Sequence, residues 1–386
     1  MRLPQLKKER LMRLALCTSL ALGLGAVSAA QVQKDTAPEK KVERTWSAKL
    51  GQLAPDFELE DTAGTSWKLS DQRGKTVVLE WFNPGCPVVK KAHAPGGALE
   101  RLGNIAGGEG VVWVAINSGA GSGDGSDAKT NEGGRKALGI DYPVLLDTSS
   151  WVGRMYGATN TPHMFIIGKD GKLVYSGGHV DGDGVNLVAK ALVEYTKGGS
   201  VGTARTRASG CAVKYAARAR VGLAAPDFEL SGCEGAKQRL SDLRGEYVVL
   251  EWFSPTCPVV KRAHEEGGSL QGLASRVAHK GVKWLAINSG ATGKPEDNQR
   301  AAERWSLSHP ILTDADGKTG KTFGAVTTPQ MFVIDQRGVI VYHGAPAPQR
   351  GGGPNYIEQA LTESMSGKPV SIPETKSYGC GVKYAN

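Results

Sequence analysis

The chain has 386 residues, enough for two or three domains at ~100–200 residues each. Apolar residues make up 40% and charged residues 22%, a balance that excludes wholesale disorder and a multi-span membrane protein. The formal charge is +9, but residues 1–30 carry five basic side chains against one acid, and the +5 that remains forms no basic stripe, so nucleic acid is not an expected partner. Glycine, at 52 residues, is about twice its usual ~7% share, which points to many turns rather than long helices.

Residues 1–30 read as a signal peptide. A basic start leads into the apolar run Leu14 to Val27, and the small residues Ser28, Ala29 and Ala30 follow it. The run falls short of the ~20 residues of a membrane span, so no stable insertion is expected once it is removed. Cys17 lies too early in the run, behind the large Leu16, for a lipoprotein cysteine. Export to the periplasm or the extracellular space would put the mature chain where disulfides persist.

Beyond this leader one unit is written twice. "GQLAPDFEL" at 51–59 returns as "GLAAPDFEL" at 222–230, and "VVLEWFNPGCPVVKKAH" at 77–93 as "VVLEWFSPTCPVVKRAH" at 248–264. "WVAINSGA" at 113–120 matches "WLAINSGA" at 284–291, and "TPHMFIIGKDGKLVYSG" at 161–177 matches "TPQMFVIDQRGVIVYHG" at 328–344. "GCAVKYA" at 210–216 closes the first copy and "GCGVKYA" at 379–385 the second. The period is far above the ~20–50 residues of a solenoid repeat, so this is a domain duplication.

In chain order, each unit predicts a buried strand ("TVVLEWF", "YVVLEWF"), a loop ending in Cys-Pro, and a helix over 88–106 or 259–278. A second buried strand ("GVVWVAIN", "GVKWLAIN") and a helix near 131–138 or 296–305 follow. Two strands then turn at Gly171 or Gly338, and a closing helix covers 185–197 or 355–366. The order implies a layered α/β fold, parallel at first and ending in an antiparallel hairpin. The domains are expected at 46–197 and 219–367. Polar segments at 31–45 and 198–218 read as linkers, the latter carrying Cys211, and a C-terminal tail at 368–386 carries Cys380.

Cys86 and Cys257 follow a buried strand and open a helix at a proline, which fits the first helical turn. Free N–H groups and the positive end of the dipole there stabilise a thiolate, and Lys90 and Lys261 are expected to add nearby charge. A buried structural cysteine is the alternative reading. His93 and His264 read as helix-surface or capping residues; with one cysteine per domain they make a poor metal site. "GAGSGDGSD" lacks the Lys-Ser/Thr of a phosphate loop, and "DGDG" is too short for a calcium loop.

"APDFEL", the strand "VVLEWF", the Cys-Pro, the Thr-Pro before an apolar strand and the closing hairpin together resemble the thioredoxin superfamily. They are closest to its redoxin branch, which contains peroxiredoxins and periplasmic thioredoxin-like reductases. The resemblance implies an α/β fold of two tandem thioredoxin-like domains, each a mixed central sheet flanked by helices. It makes Thr161-Pro162 and Thr328-Pro329 the active-site loops with cis prolines, and Cys86 and Cys257 the nucleophiles. The second thiol of the superfamily's motif is replaced by Val89 and Val260. Glu80 and Glu251 stand where thioredoxins carry a buried carboxylate; they read either as bases with a raised pKa or as edge-strand glutamates.

Ser254 matches the peroxiredoxin Ser/Thr-x-x-Cys, but Asn83 replaces it in the first copy, and no arginine matches the one that activates peroxide. Cys211 lies 125 residues after Cys86, and Cys380 lies 123 after Cys257. These tail cysteines are expected to pair with their own domain's Cys-Pro, either as resolving thiols or as permanent disulfides. Cys233 has no counterpart in the first copy. The resulting expectation is an exported thiol–disulfide oxidoreductase acting on protein thiols or disulfides, with no cofactor and no metal. The alternatives are a thiol peroxidase, a scaffold with structural disulfides and, behind these, a copper or zinc carrier. The electron donor is not named by the sequence.

Overall fold

The computed structural model describes residues 47–384 apart from 101, 103–109, 120–126, 233–234, 291–293 and 351. The expected signal peptide, the 31–45 linker and Cys233 lie outside the described residues. In the first repeat the sheet is built around the strand Thr76–Trp81, every residue of which is buried. This strand runs parallel to Val111–Asn117, which is in turn parallel to Val144–Leu146. On its other side it is antiparallel to His163–Ile167, which turns back into Leu173–Gly177. The second repeat keeps the same order around Tyr247–Trp252 and adds the hairpin Glu229–Gly232/Lys237–Arg239 at one edge. The corresponding hairpin of the first repeat, Glu58–Glu60/Ser66–Lys68, forms its own two-stranded sheet and is bridged to the main one at Asp61 and Leu145.

The period-2 strand pattern explains how both faces are filled. Val77, Leu79 and Trp81 enter one core with Phe57, Tyr156 and Phe165, while Val78 packs on the other face against Ala92, Trp113 and Val188. Burying each of these large side chains contributes about 1.5–3 kcal/mol. The recurring "AINS" has a polar reason. Trp81 Nε1–H donates to Ser118 Oγ at 3.0 Å, and that hydroxyl donates to the buried Asp147 carboxylate at 2.6 Å. Trp252, Ser289 and Asp314 repeat the chain of bonds. Asp147 and Asp314 each also accept a backbone N–H, from Gly153 and Gly320, at the start of the short helices Trp151–Tyr156 and Lys318–Phe323. The sequence reading did not anticipate these two helices.

The Cys-Pro helices are shorter than expected. They span Pro87–His93 and Pro258–His264, where 88–106 and 259–278 were predicted. The interruption is a glycine pair. Gly96 and Gly267 take φ of 78° and 76°, and a Cβ on Gly97 or Gly268 would collide with the carbonyl oxygen of Ala92 or Ala263. In the second repeat a separate helix, Leu273–Ala278, follows. The 198–218 segment, read from its composition as a linker, runs back over its own domain. Arg205 bridges to Ser176, and Cys211–Ala212 pairs as a strand with Asn160–Thr161.

Candidate active site

Cys86 and Cys257 occupy the N-cap positions of the two Cys-Pro helices, each only 2% exposed. Thr161-Pro162 and Thr328-Pro329 are cis peptides. The Thr161 and Thr328 carbonyl oxygens lie 3.2 Å from the Cys86 and Cys257 sulfurs. The same threonines pair with the tail strands, Thr161 opposite Cys211 and Thr328 opposite Cys380. Strand, cis-proline loop and tail therefore meet at each sulfur. Cys86 and Cys211 are placed as a disulfide with Cα atoms 6.0 Å apart, and the Cys257 and Cys380 sulfurs lie 2.8 Å apart. Each tail cysteine thus meets its own domain's Cys-Pro.

The "GC-x-VKY" tail is shaped to hold this position. Val213 and Val382 N–H groups donate to the Thr159 and Val326 carbonyls, both at 3.0 Å. Tyr215 Oη–H donates to Ala158 O at 2.8 Å and Tyr384 Oη–H to Ala325 O at 2.6 Å. Their rings lie under the Arg154 guanidinium and the Lys321 ammonium. The glycine is required by close approach. Gly210 and Gly379 sit at φ 143° and 133°, and a Cβ there would overlap the carbonyl oxygen of Thr161 or Thr328. Gly379→Ala is expected to cost the docked tail about 1–3 kcal/mol. Closure of the Cys257–Cys380 bridge in a glutathione buffer then slows by about tenfold, at 1.4 kcal/mol per decade. An unchanged rate would mean that the tail need not dock for its sulfur to react.

Burial raises the pKa of Cys257, but the neighbouring Cys380 thiol, the contact with Thr328 and the backbone N–H of Val260 overcome it and leave the thiol lowered. Cys380 is raised, first by Cys257 and then by burial. Lys90 and Lys261 are exposed on the outer face of their helices, and Lys261 lies 3.7 Å from Glu265. Asn83 Oδ1 accepts the Gly85 N–H, and the Ser254 hydroxyl meets that of Thr256, so each side chain is spent on its own loop.

Glu80 and Glu251 are fully buried, which excludes the edge-strand reading, and they differ from the raised-pKa expectation too. Burial pushes each carboxyl up, yet the charge and hydrogen bond of His93 or His264 reverse this and hold it below the usual range. The His93–Glu80 and His264–Glu251 contacts are both 2.8 Å, at Nε2 and Oε1. Burial pushes each histidine down, and the carboxylate more than restores it, so both end raised. The histidines expected on the helix surface are therefore buried partners of the glutamates. They are found on the inward face because Val89, Ala92 and His93, like Val260, Ala263 and His264, fall on one helical stripe. The other glutamate oxygen accepts from Tyr142 Oη–H at 2.7 Å in the first domain and from Trp284 Nε1–H at 3.2 Å in the second. Tyr142, Trp284 and the tail tyrosines were not singled out from sequence. Among the described residues, no group of three or more His, Cys, Asp or Glu side chains is arranged to hold a metal.

A Redoxin family model matches residues 49–192, and an AhpC/TSA family model matches residues 221–343. The thioredoxin-like protein YneN of Bacillus subtilis is 31% identical over 120 residues, covering 31% of this chain and 68% of that protein. The chain belongs to the thioredoxin superfamily. The thiol–disulfide oxidoreductase ResA of Geobacillus thermodenitrificans is 34% identical over 121 residues, and the match covers 31% of this chain and 66% of that relative. A crystal structure of an uncharacterized conserved protein from Geobacillus kaustophilus aligns with a TM-score of 0.40 at 29% identity, over 43% of this chain and 93% of that one. As a tandem redoxin-type member of the superfamily, the chain carries buried Val89 and Val260 in the fourth position of each "CPVV", and a tail sulfur lies beside each Cys-Pro sulfur.

Proposed function

We propose that the chain is an exported thiol–disulfide oxidoreductase whose two couples are Cys86 with Cys211 and Cys257 with Cys380. The observation that carries the reading is the second sulfur, brought by a docked tail strand to the first sulfur of its own domain. In the oxidising direction a substrate dithiol and a domain disulfide become a substrate disulfide and a domain dithiol, with two electrons and two protons passing to the domain. Protein thiols and disulfides are the substrate class, supported by the likeness to the thiol–disulfide oxidoreductase ResA. Export is supported by the pattern of residues 1–30, and no described helix is long and apolar enough to cross a membrane. The AhpC/TSA match over 221–343 favours a second reading for that domain, in which a peroxide is the oxidant.

The full chain is poised in glutathione buffers of graded ratio, quenched in acid, and mapped by peptide mass spectrometry. Both couples should open and close reversibly, and the oxidised protein should convert a synthetic dithiol peptide to its disulfide in proportion to the couples closed. Bridges that stay shut in every buffer, with no peptide oxidised, would establish the scaffold reading. Oxidation of Cys257 by stoichiometric hydrogen peroxide far ahead of peptide disulfide would establish the peroxidase reading.

A further inference from the structure

The oxidoreductase reading leaves open which sulfur of a couple meets the substrate, and exposure separates the two. Cys86 and Cys257 are 2% exposed, packed among Phe82, Val89 and Ala115 in one domain and Phe253, Val260 and Ala286 in the other. Cys211 and Cys380 are half-buried. A cleft of about 570 Å³ lies beside the second couple, and Cys380 lines it while Cys257 does not. Arg262 of the Cys-Pro helix and Glu266 just beyond its end form one wall; Pro329, Tyr378 and Pro348 form the others. Apolar rings beside one cation and one anion suit an extended peptide segment with a cysteine in it.

We propose that the mixed disulfide with the substrate forms on the tail cysteine, Cys380, and that Cys257 is the internal sulfur that leaves and returns. This rests on the oxidoreductase reading and reverses the assignment drawn from the family resemblance. In the oxidising direction a substrate thiolate in the cleft attacks Cys380 Sγ. The substrate–Cys380 bond forms, the Cys257–Cys380 bond breaks, and Cys257 departs as thiolate. The second substrate thiolate then attacks the substrate sulfur of the mixed disulfide, closing the substrate disulfide and releasing Cys380 as thiolate. A good leaving thiol has a low pKa, and the lowered Cys257 suits its departure in the first of these steps. The reducing direction retraces these steps, with Cys257 resolving the mixed disulfide. Cys211 and Cys86 have the same exposures and take the same roles.

The test uses the full chain with Cys17, Cys86, Cys211 and Cys233 replaced by serine, leaving one couple. Its oxidised form must first convert the synthetic dithiol peptide to disulfide; if it does not, the oxidoreductase reading falls and this proposal with it. Cys257→Ser and Cys380→Ser are then made in that background, each with one thiol left to be trapped by a peptide activated as its thionitrobenzoate mixed disulfide. Access favours the tail sulfur, so the Cys380 adduct should form about tenfold faster than the Cys257 adduct. Equal rates, or a faster Cys257 adduct, would overturn the tail-first order while leaving the oxidoreductase reading intact. To guard against a disturbed variant, the intact couple is also quenched with acid early in turnover. Peptide found on Cys257 there would overturn the proposal equally. Tyr378→Ala should slow the peptide adduct on Cys380 several-fold without changing reduction of the couple by dithiothreitol. A parallel fall in both would remove the cleft from the proposal.

Discussion

Glu251→Ala is expected to destabilise the second domain by about 3–5 kcal/mol, the cost of leaving one member of a buried ion pair alone. The carboxylate is wholly buried, its partner His264 is 3% exposed at the side chain, and their contact is 2.8 Å. Removing the acid takes away the partner that raises the His264 pKa against burial, and leaves the imidazole Nε2 without its carboxylate under Trp305, whose indole lies parallel to it at 5.9 Å. Glu80→Ala does the same to His93 in the first domain. Denaturant titrations followed by tryptophan fluorescence measure the loss, and a value below about 1 kcal/mol would mean that the pair only offsets its own desolvation. The sign of the pH dependence follows from both partners. The histidine is raised, so its contribution is complete below 6.5 and drains away as pH climbs through the folded value. The glutamate is lowered, so its contribution is complete above 4.5 and is lost as pH falls through the folded value. The margin of the wild type over Glu251→Gln/His264→Gln should therefore peak between these limits. A flat margin across pH would show that the pair is not ionised.

Serine at both tail positions, Cys211→Ser and Cys380→Ser, is expected to abolish catalytic turnover of a disulfide peptide, a fall of about 100-fold or more. The position that would hold a second thiol carries Val89 in one domain and Val260 in the other, each fully buried, so among the described residues neither domain has a further cysteine to close a bridge. A mixed disulfide has then no internal thiolate to resolve it. Cys380→Ser alone should leave the first domain working and reduce turnover by about half, provided the couples act independently. Steady-state peptide reduction with a chemical reductant measures both. Undiminished turnover in the double variant would move the chemistry away from the tails.

The duplication, the central strands, the Cys-Pro turn and the Thr-Pro loop were all legible, because each is a short local pattern that two copies preserve. The tail was legible as a partner, since its spacing and "VKY" surroundings recur, but its route was not. Nothing local in "GCAVKY" says that Thr161 would pair with it. The Glu–His pair was half legible. A carboxylate in the middle of "VVLEWF" calls for a counter-charge, and both copies place a histidine 13 positions on. Reading His93 as a surface residue followed its chemistry and overlooked the stripe it shares with Val89 and Ala92. The Cys-Pro helices were drawn too long because apolar residues beyond Gly97 and Gly268 keep a helical period through the break. Leu99 and Leu270 hold their place with N–H bonds to Ala92 and Ala263 at 2.8 Å. Strands of three or four residues, such as Val144–Leu146, carry too little pattern to be seen alone.

Because the tails are held by strand pairing and by the tyrosine hydroxyls, the second sulfur stays beside the first whether or not a bond joins them. Cutting the bridge leaves Val382 bonded to Val326 and Tyr384 bonded to Ala325. Bond formation within a couple is then a reaction between neighbours at high effective concentration, with most of the ordering already done by the fold. Reduction frees two thiols without freeing the chain that bears one of them. Once a disulfide partner has formed a mixed disulfide on one sulfur of a couple, the other already lies beside it to displace the partner's thiolate, so this resolution is expected to be fast and exchange to be governed by how well a partner seats.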